Sequence, residues 1–106
     1  MEITKFMKVF SVEMRIKFLA HFYTCKCKDH TVTDLVAKFG TSQANISKHL
    51  LLMEDLGILS YTCEKKVKYY WLNEDFKKEW EHLIKPIISN EKLKEFYCCC
   101  SQSTNI

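Results

Sequence analysis

Glycine and proline are scarce in this chain, two and one among 106 residues, while apolar residues make up 47%. So little turn-forming residue and so much apolar content exclude a disordered chain and point to a compact, mostly helical one. No apolar stretch is long enough to span a membrane, and none follows a basic N-terminal patch. Neither a membrane segment nor a signal peptide is therefore expected, and the expected compartment is the cytoplasm. A strong charge of one sign is also missing. Net charge is +3, with Lys and Arg ahead by two in residues 1–35 and by two in 36–70, and one behind in 71–106. That is a mild basic bias over the first two-thirds of the chain. Cysteine, in contrast, is plentiful at six. In a cytoplasmic chain of this size six thiols argue against a disulfide framework and for buried, metal-binding or redox-active roles. The length suits one domain with a single core.

The most informative stretch runs from Thr41 to Leu72. Ser42 is placed to cap a helix in which Ile46, Leu50 and Met53 share one face, with His49 and Leu56 on its border. Gly57 follows the last apolar residue, where a helix stop belongs. Residues 58–63 and 67–72 are rich in β-branched and aromatic side chains and read as two strands joined by a Glu64-Lys65-Lys66 turn. A helix followed by such a hairpin is a winged-helix plan. The first turns of the helix carry Ser42, Gln43, Asn45, Ser47, Lys48 and His49. Gln and Asn pair bidentately with adenine, and Lys reads guanine or phosphate, so this end suits a DNA major groove. The bland alternative is an exposed helix end that is merely capped and solvated. The basic wing, with Lys65, Lys66 and Lys68, favours the DNA reading, although a solvated hairpin tip is also common.

Elsewhere, Ile3, Phe6, Met7 and Phe10 repeat with helical spacing as a short first helix. Ser11 is a fair cap for a second helix with a wide apolar surface: Met14, Phe18 and Phe22 on one flank, Val12, Ile16, Leu19 and Tyr23 on the other. A polar loop, Thr24 to His30, leads to a third helix capped by Thr31 or Thr33, with Val32, Leu35, Val36 and Phe39 inside and Gly40 ending it. This helix, the glycine turn and the next helix form a helix-turn-helix. A last helix, capped by Asn73 or Asp75, carries Phe76, Trp80, Leu83 and Ile87 on one stripe, with Ile84 and Ile88 beside it. That much apolar surface on a terminal helix suggests a second copy of the chain as its partner. Pro86 should kink or split the helix.

Ser11, Arg15, Phe18 and Leu19, then Asp34, Leu35 and Ala37, then Ser42, Gln43, Ile46, Ser47, His49 and Leu50, then Leu56-Gly57-Ile58-Leu59 and Tyr69-Tyr70-Trp71-Leu72-Asn73 together resemble the ArsR/SmtB family of small bacterial repressors. The resemblance covers about residues 5–75. It implies a mainly α fold with a small β-hairpin, a winged helix-turn-helix that dimerises through its first and last helices. The domain is expected over residues 1–100, with 101–106 as a flexible tail. It further implies a homodimer bound as a repressor to a double-stranded DNA operator and released by an inducer. Carried onto this chain, DNA contact falls to Ser42, Gln43, Asn45, Ser47, Lys48 and His49 with the wing lysines, and the dimer interface to Phe6, Phe10, Trp80, Leu83, Ile84 and Ile87. His49 sits at the edge of the buried face, which also suits a core histidine.

Inducer chemistry is suggested by cysteines. The Cys-x-Cys site at the start of the third helix, used by arsenic and lead or cadmium sensors of the family, is replaced here by Thr31-Val32-Thr33. A zinc-type site on the last helix is not expected, since Glu79, Glu81, His82 and Glu91 include one histidine only. What remains is Cys25 and Cys27 before the third helix and Cys98, Cys99 and Cys100 after the last. Thiolates are the soft ligands preferred by As(III), Cd(II), Pb(II) or Cu(I). The rival readings are a redox or sulfide switch pairing Cys25 with a C-terminal cysteine, incidental thiols, and a winged-helix module that binds protein in place of DNA. Catalysis by the Cys25-Lys26-Cys27 segment is not expected, because no oxyanion hole or substrate cleft is evident.

Overall fold

The computed structural model describes residues 1–98. Five α-helices, α1 (Ile3–Val9), α2 (Glu13–Thr24), α3 (Val32–Phe39), α4 (Gln43–Asp55) and α5 (Glu74–Ile88), accompany two strands, β1 (Leu59–Glu64) and β2 (Val67–Leu72), and a 3₁₀ helix (Glu91–Phe96). The fold class is the expected one, mostly helical with a single antiparallel hairpin. The chain divides into two compact units. A central unit spans Lys26–Glu79, and a terminal unit combines Met1–Cys25 with the chain from Trp80 onward.

In the central unit, Thr31 caps α3 by accepting a hydrogen bond from the Asp34 amide at 3.1 Å, and Ser42 caps α4 by accepting from Asn45 at 3.1 Å. Each hydroxyl satisfies one of the amides that a helix start leaves without an intrahelical partner. Gly40 ends α3 in the left-handed region at φ 66°, and its amide donates to the Val36 carbonyl. A side chain at that φ would be strained, so glycine lets the chain reverse into α4 within two residues. Ile46, Leu50 and Met53 are fully buried, as their spacing on α4 requires. The strands pair in register from Leu59 opposite Leu72 to Glu64 opposite Val67. Glu64 thus belongs to β1, and the turn is Lys65-Lys66 alone. Asn73 caps α5, its Oδ1 accepting from the Phe76 amide at 2.9 Å while its Nδ2 donates to Ser60 Oγ at 2.9 Å.

In the terminal unit, Phe6 and Val9 are the buried residues of α1 and Phe10, its C-cap, is buried too, whereas Ile3 and Met7 are 53% and 52% exposed. Phe6 stacks on Trp80 with ring centroids 4.6 Å apart. Ser11 does not cap α2. Its hydroxyl donates to the Lys8 carbonyl at 2.7 Å and so closes α1, and α2 begins after Val12 with no side-chain cap. Pro86 lies inside α5, which runs on through it to Ile88. The proline lacks only its own N–H bond to the His82 carbonyl, and the helix continues two residues past it. Beyond α5 the 3₁₀ helix, which periodicity does not reveal, is started by Asn90 Oδ1 accepting from the Lys92 amide at 2.9 Å. The tail expected at 101–106 lies outside the described residues.

Candidate nucleic-acid interface

The central unit presents a groove of about 360 Å³ between the starts of α3 and α4 and the hairpin. Thr31, Thr33, Gln43, Ser47, Lys66 and Lys68 supply its polar lining, and Leu51, Val67 and Tyr70 part of its apolar lining. Ser42, Gln43 and Lys48 are exposed, and Asn45 and Ser47 half-buried. The α4 start therefore offers the Gln43 amide and the Ser47 hydroxyl to the groove. The Asn45 side chain is partly committed, its Nδ2 donating to Thr41 Oγ1 at 3.2 Å. His49 lies on the inward face of α4 and is buried, 6% exposed. Its ring belongs with Ile46, Leu50 and Met53 and not with the polar tip.

The wing lysines differ from one another. Lys65 and Lys66 are exposed at the turn, with φ of 50° and 68°. Positive φ at both central residues is the type I′ hairpin turn, a demand usually met by Asn-Gly. Lys68 is one register step from the tip, where its Nζ donates to Glu54 Oε1 at 2.9 Å. It also lies 4.2 Å from the centroid of the Tyr61 ring. The Glu54 hydrogen bond, more than any other influence, holds the Lys68 ammonium above its ordinary pKa. Tyr70 donates to the same Glu54 oxygen at 3.3 Å, and burial raises its pKa. Glu54 was not singled out from sequence. No local signal links it to Lys68, because the hairpin between them creates the pairing.

The groove is backed by His30, just ahead of α3. Its amide donates to the Tyr70 carbonyl at 3.3 Å, and the Tyr70 amide donates back at 2.7 Å, adding a one-residue bridge to the edge of β2. His30 is buried, and burial pushes its pKa below the usual imidazole range, against a smaller upward pull from Asp29 and Asp34.

Among the cysteines expected to hold a metal, Cys25 is half-buried after α2 and Cys98 is buried, both in the terminal unit. Cys27 is exposed and belongs to the central unit. Cys99 and Cys100 lie outside the described residues. Of the residues expected at a dimer interface, Phe6, Phe10, Trp80 and Ile84 are interior, none more than 7% exposed, while Leu83 and Ile87 are half-buried. Phe6 packs on Phe10 and Trp80 of its own subunit. Ile3 and Met7 on α1 are exposed, and Leu83 and Ile87 on α5 are partly so.

No helix among the described residues is long and apolar enough to cross a membrane. No curated protein matches the chain closely enough to count as a relative. Solved structures share the fold, two of them as follows. HlyU from Vibrio cholerae superposes with a TM-score of 0.63 at 22% identity, covering 76% of this chain and 86% of that one. A predicted DNA-binding transcriptional regulator from E. coli superposes with a TM-score of 0.62 at 20% identity, covering 79% and 87% respectively. Residues 25–61 match the model of the arsR family of bacterial regulatory proteins, a stretch that holds α3, the Gly40 turn, α4 and the wing entry. That segment is similar to the arsR family, and the fold that carries it is a winged helix-turn-helix.

Proposed function

We propose that this protein is a homodimeric transcriptional repressor that binds a double-stranded DNA operator and is released by a thiophilic metal or metalloid, As(III) among them, bound to cysteine thiolates. The observation that carries the DNA half is the groove itself. The exposed Gln43, the half-buried Ser47 and the wing-tip Lys66 line it beside Thr31 and Thr33, and Lys48 and Lys65 are exposed on the same helix and the same turn. Gln43 has the bidentate amide that reads adenine in a major groove, and Ser47 a hydroxyl for either base or phosphate. Lys48, Lys65 and Lys66 supply sequence-independent phosphate charge. Ser42 supports the α4 tip as its cap, and Asn45 offers its carbonyl oxygen. Lys68 is the weaker phosphate ligand because Glu54 already engages it, and His49 serves the core.

Two α4 helices presented by a dimer would meet successive major-groove faces of a palindrome. Ile3, Met7, Leu83 and Ile87 are the residues on which that dimer would close. A metal tying Cys25 or Cys98 to its surroundings would change the spacing of the two reading heads. DNA affinity would then fall by the coupling free energy, about 1–3 kcal/mol as a typical value.

The test is fluorescence anisotropy of the reduced protein on the DNA upstream of its own gene, followed by As(III) titration. Tight, salt-sensitive binding that As(III) reverses, and that becomes indifferent to As(III) when Cys98, Cys99 and Cys100 are Ser, supports the proposal. Binding that oxidants or sulfide reverse and As(III) does not would replace the metal with a redox signal. Absence of any salt-dependent binding to duplex DNA would sink the repressor reading and leave a protein-interaction module.

A further inference from the structure

The terminal unit holds a buried imidazole and a buried thiol that the DNA face does not use. His21 lies in the last turn of α2, 6% exposed, and Cys98, 5% exposed, follows the 3₁₀ helix. Three hydrogen bonds hold the segment that ends in Cys98. The Cys98 amide donates to Thr24 Oγ1 at 2.9 Å, Tyr97 Oη donates to the Ile88 carbonyl at 2.6 Å, and His21 Nδ1 lies 2.9 Å from the Phe96 carbonyl. The last of these decides the tautomer. A carbonyl oxygen only accepts, so Nδ1 carries the proton, and in the neutral ring Nε2 keeps the lone pair. A histidine whose second nitrogen donates to a backbone carbonyl has the orientation and tautomer of a metal ligand.

The distance agrees with this chemistry. A ring nitrogen of His21 and the sulfur of Cys98 lie within 4.8 Å of each other. Nitrogen and sulfur on one tetrahedral zinc, at about 2.1 and 2.3 Å from the ion, stand about 3.6 Å apart. Side-chain rotation covers that difference, with the backbone already held by Thr24 and Phe96.

We propose that His21 Nε2 and the Cys98 thiolate bind a borderline-soft transition-metal ion of the zinc type. An imidazole–thiolate pair suits zinc, whereas a purely soft ion favours sulfur alone. As the S–metal bond forms, the Cys98 S–H bond breaks and its proton passes to solvent, so one proton is released per ion bound and affinity rises with pH. The ion adds a strong bond between residue 98 and α2. Its regulatory consequence rests on the repressor reading, but its binding does not.

The experiment uses the full chain with Cys25, Cys27, Cys63, Cys99 and Cys100 changed to Ser, so that Cys98 is the sole thiol, and Co(II) as the probe. The expected result is a sulfur-to-Co(II) charge-transfer band that Zn(II) abolishes by displacement and that C98S lacks. His21→Gln should weaken Zn(II) binding at least about 10-fold, the lower end of what loss of metal-site support costs. On the unaltered protein, long-range ¹H–¹⁵N spectra should show Zn(II) moving the His21 Nε2 resonance while Nδ1 stays protonated. That second measurement does not depend on any variant folding. No charge-transfer band with Cys98 as sole thiol, or an unmoved His21 Nε2, overturns the site. Both are read without DNA. A chain that takes the metal but ignores its operator would overturn the repressor reading alone, and one that binds the operator but takes no metal would overturn this site alone.

Discussion

His30 shows what one buried side chain contributes to the pH response of the fold. Its imidazole is held neutral by burial, so its folded pKa lies below the unfolded value near 6.5. Above that value neither state binds the proton, and the contribution to stability is complete. As pH falls below it, the unfolded chain takes up a proton that the folded chain resists, and stability declines until the folded pKa is passed. Urea unfolding should therefore show a lower midpoint at pH 5.5 than at pH 7.5, and His30→Phe should lose part of that difference. An identical pH response in the variant would assign it to other groups. Glu54 is a second single residue with a separable effect. Its pair with Lys68 is partly exposed, with 35% of the lysine side chain and 19% of the glutamate accessible, so Glu54→Ala should cost no more than about 1 kcal/mol. The same change releases Lys68 for phosphate. The slope of log K against log salt on operator DNA should then steepen by about 0.9, one counterion's worth. An unchanged slope would mean that Lys68 does not face the backbone of the duplex.

At the scale of elements, the wing turn sets stability against binding. Lys65 and Lys66 both hold φ in the left-handed region, which costs a side-chain-bearing residue roughly 1–2 kcal/mol. Lys65→Asn with Lys66→Gly should raise stability by about 1 kcal/mol, since that pair accepts the turn readily. If both ammonium groups reach phosphate, the same double change should make the salt slope shallower by about 1.8. Greater stability joined to weaker, less salt-sensitive binding is the expected pairing; unaltered operator affinity would rule the wing tip out of the interface. The elements also show which sequence signals carry. Thr31, Ser42, Asn73, Gly40 and Gly57 were legible because a cap or a left-handed stop depends on local chemistry. Ser11 was not, because its hydroxyl had two helix ends within reach and took the carbonyl behind it. Pro86 does not split α5, because the one bond its missing N–H removes, to the His82 carbonyl, is a small part of a 15-residue helix. The 3₁₀ helix was invisible to a 3.6-residue period. His21 was passed over because a histidine among Phe18, Leu19 and Phe22 looks like filler until the Phe96 carbonyl, 75 residues away, is seen beside its Nδ1.

For the whole molecule, a net charge of +3 is small for a protein proposed to bind a polyanion. Each phosphate neutralised releases counterions in proportion, so a single chain with a few lysines on its DNA face would bind weakly at physiological salt. Pairing doubles the charge presented to one duplex and makes the second half-site an intramolecular event. The repressor reading therefore depends on a dimer, and the dimer depends on apolar surface that the chain leaves uncovered. Phe6, Phe10, Trp80 and Ile84 are already spent on the subunit's own interior, so truncating them would unfold the chain and say nothing about association. Ile3 and Met7, more than half exposed on α1, are the informative positions. Each such side chain, buried against a partner, contributes about 1.5–3 kcal/mol, and twofold symmetry counts it twice. Ile3→Lys with Met7→Lys should therefore weaken self-association by at least about 100-fold while leaving the helical content and unfolding midpoint of the isolated chain nearly unchanged. Sedimentation equilibrium reads this directly: unaltered protein at twice 12.6 kDa, variant at 12.6 kDa. The variant should also lose tight operator binding yet keep weak binding to a half-site, because its α4 tip and wing are intact. An unaltered protein that runs as a monomer, or a variant that still dimerises, would place the partner surface elsewhere and remove the apolar stripe of α1 from the mechanism.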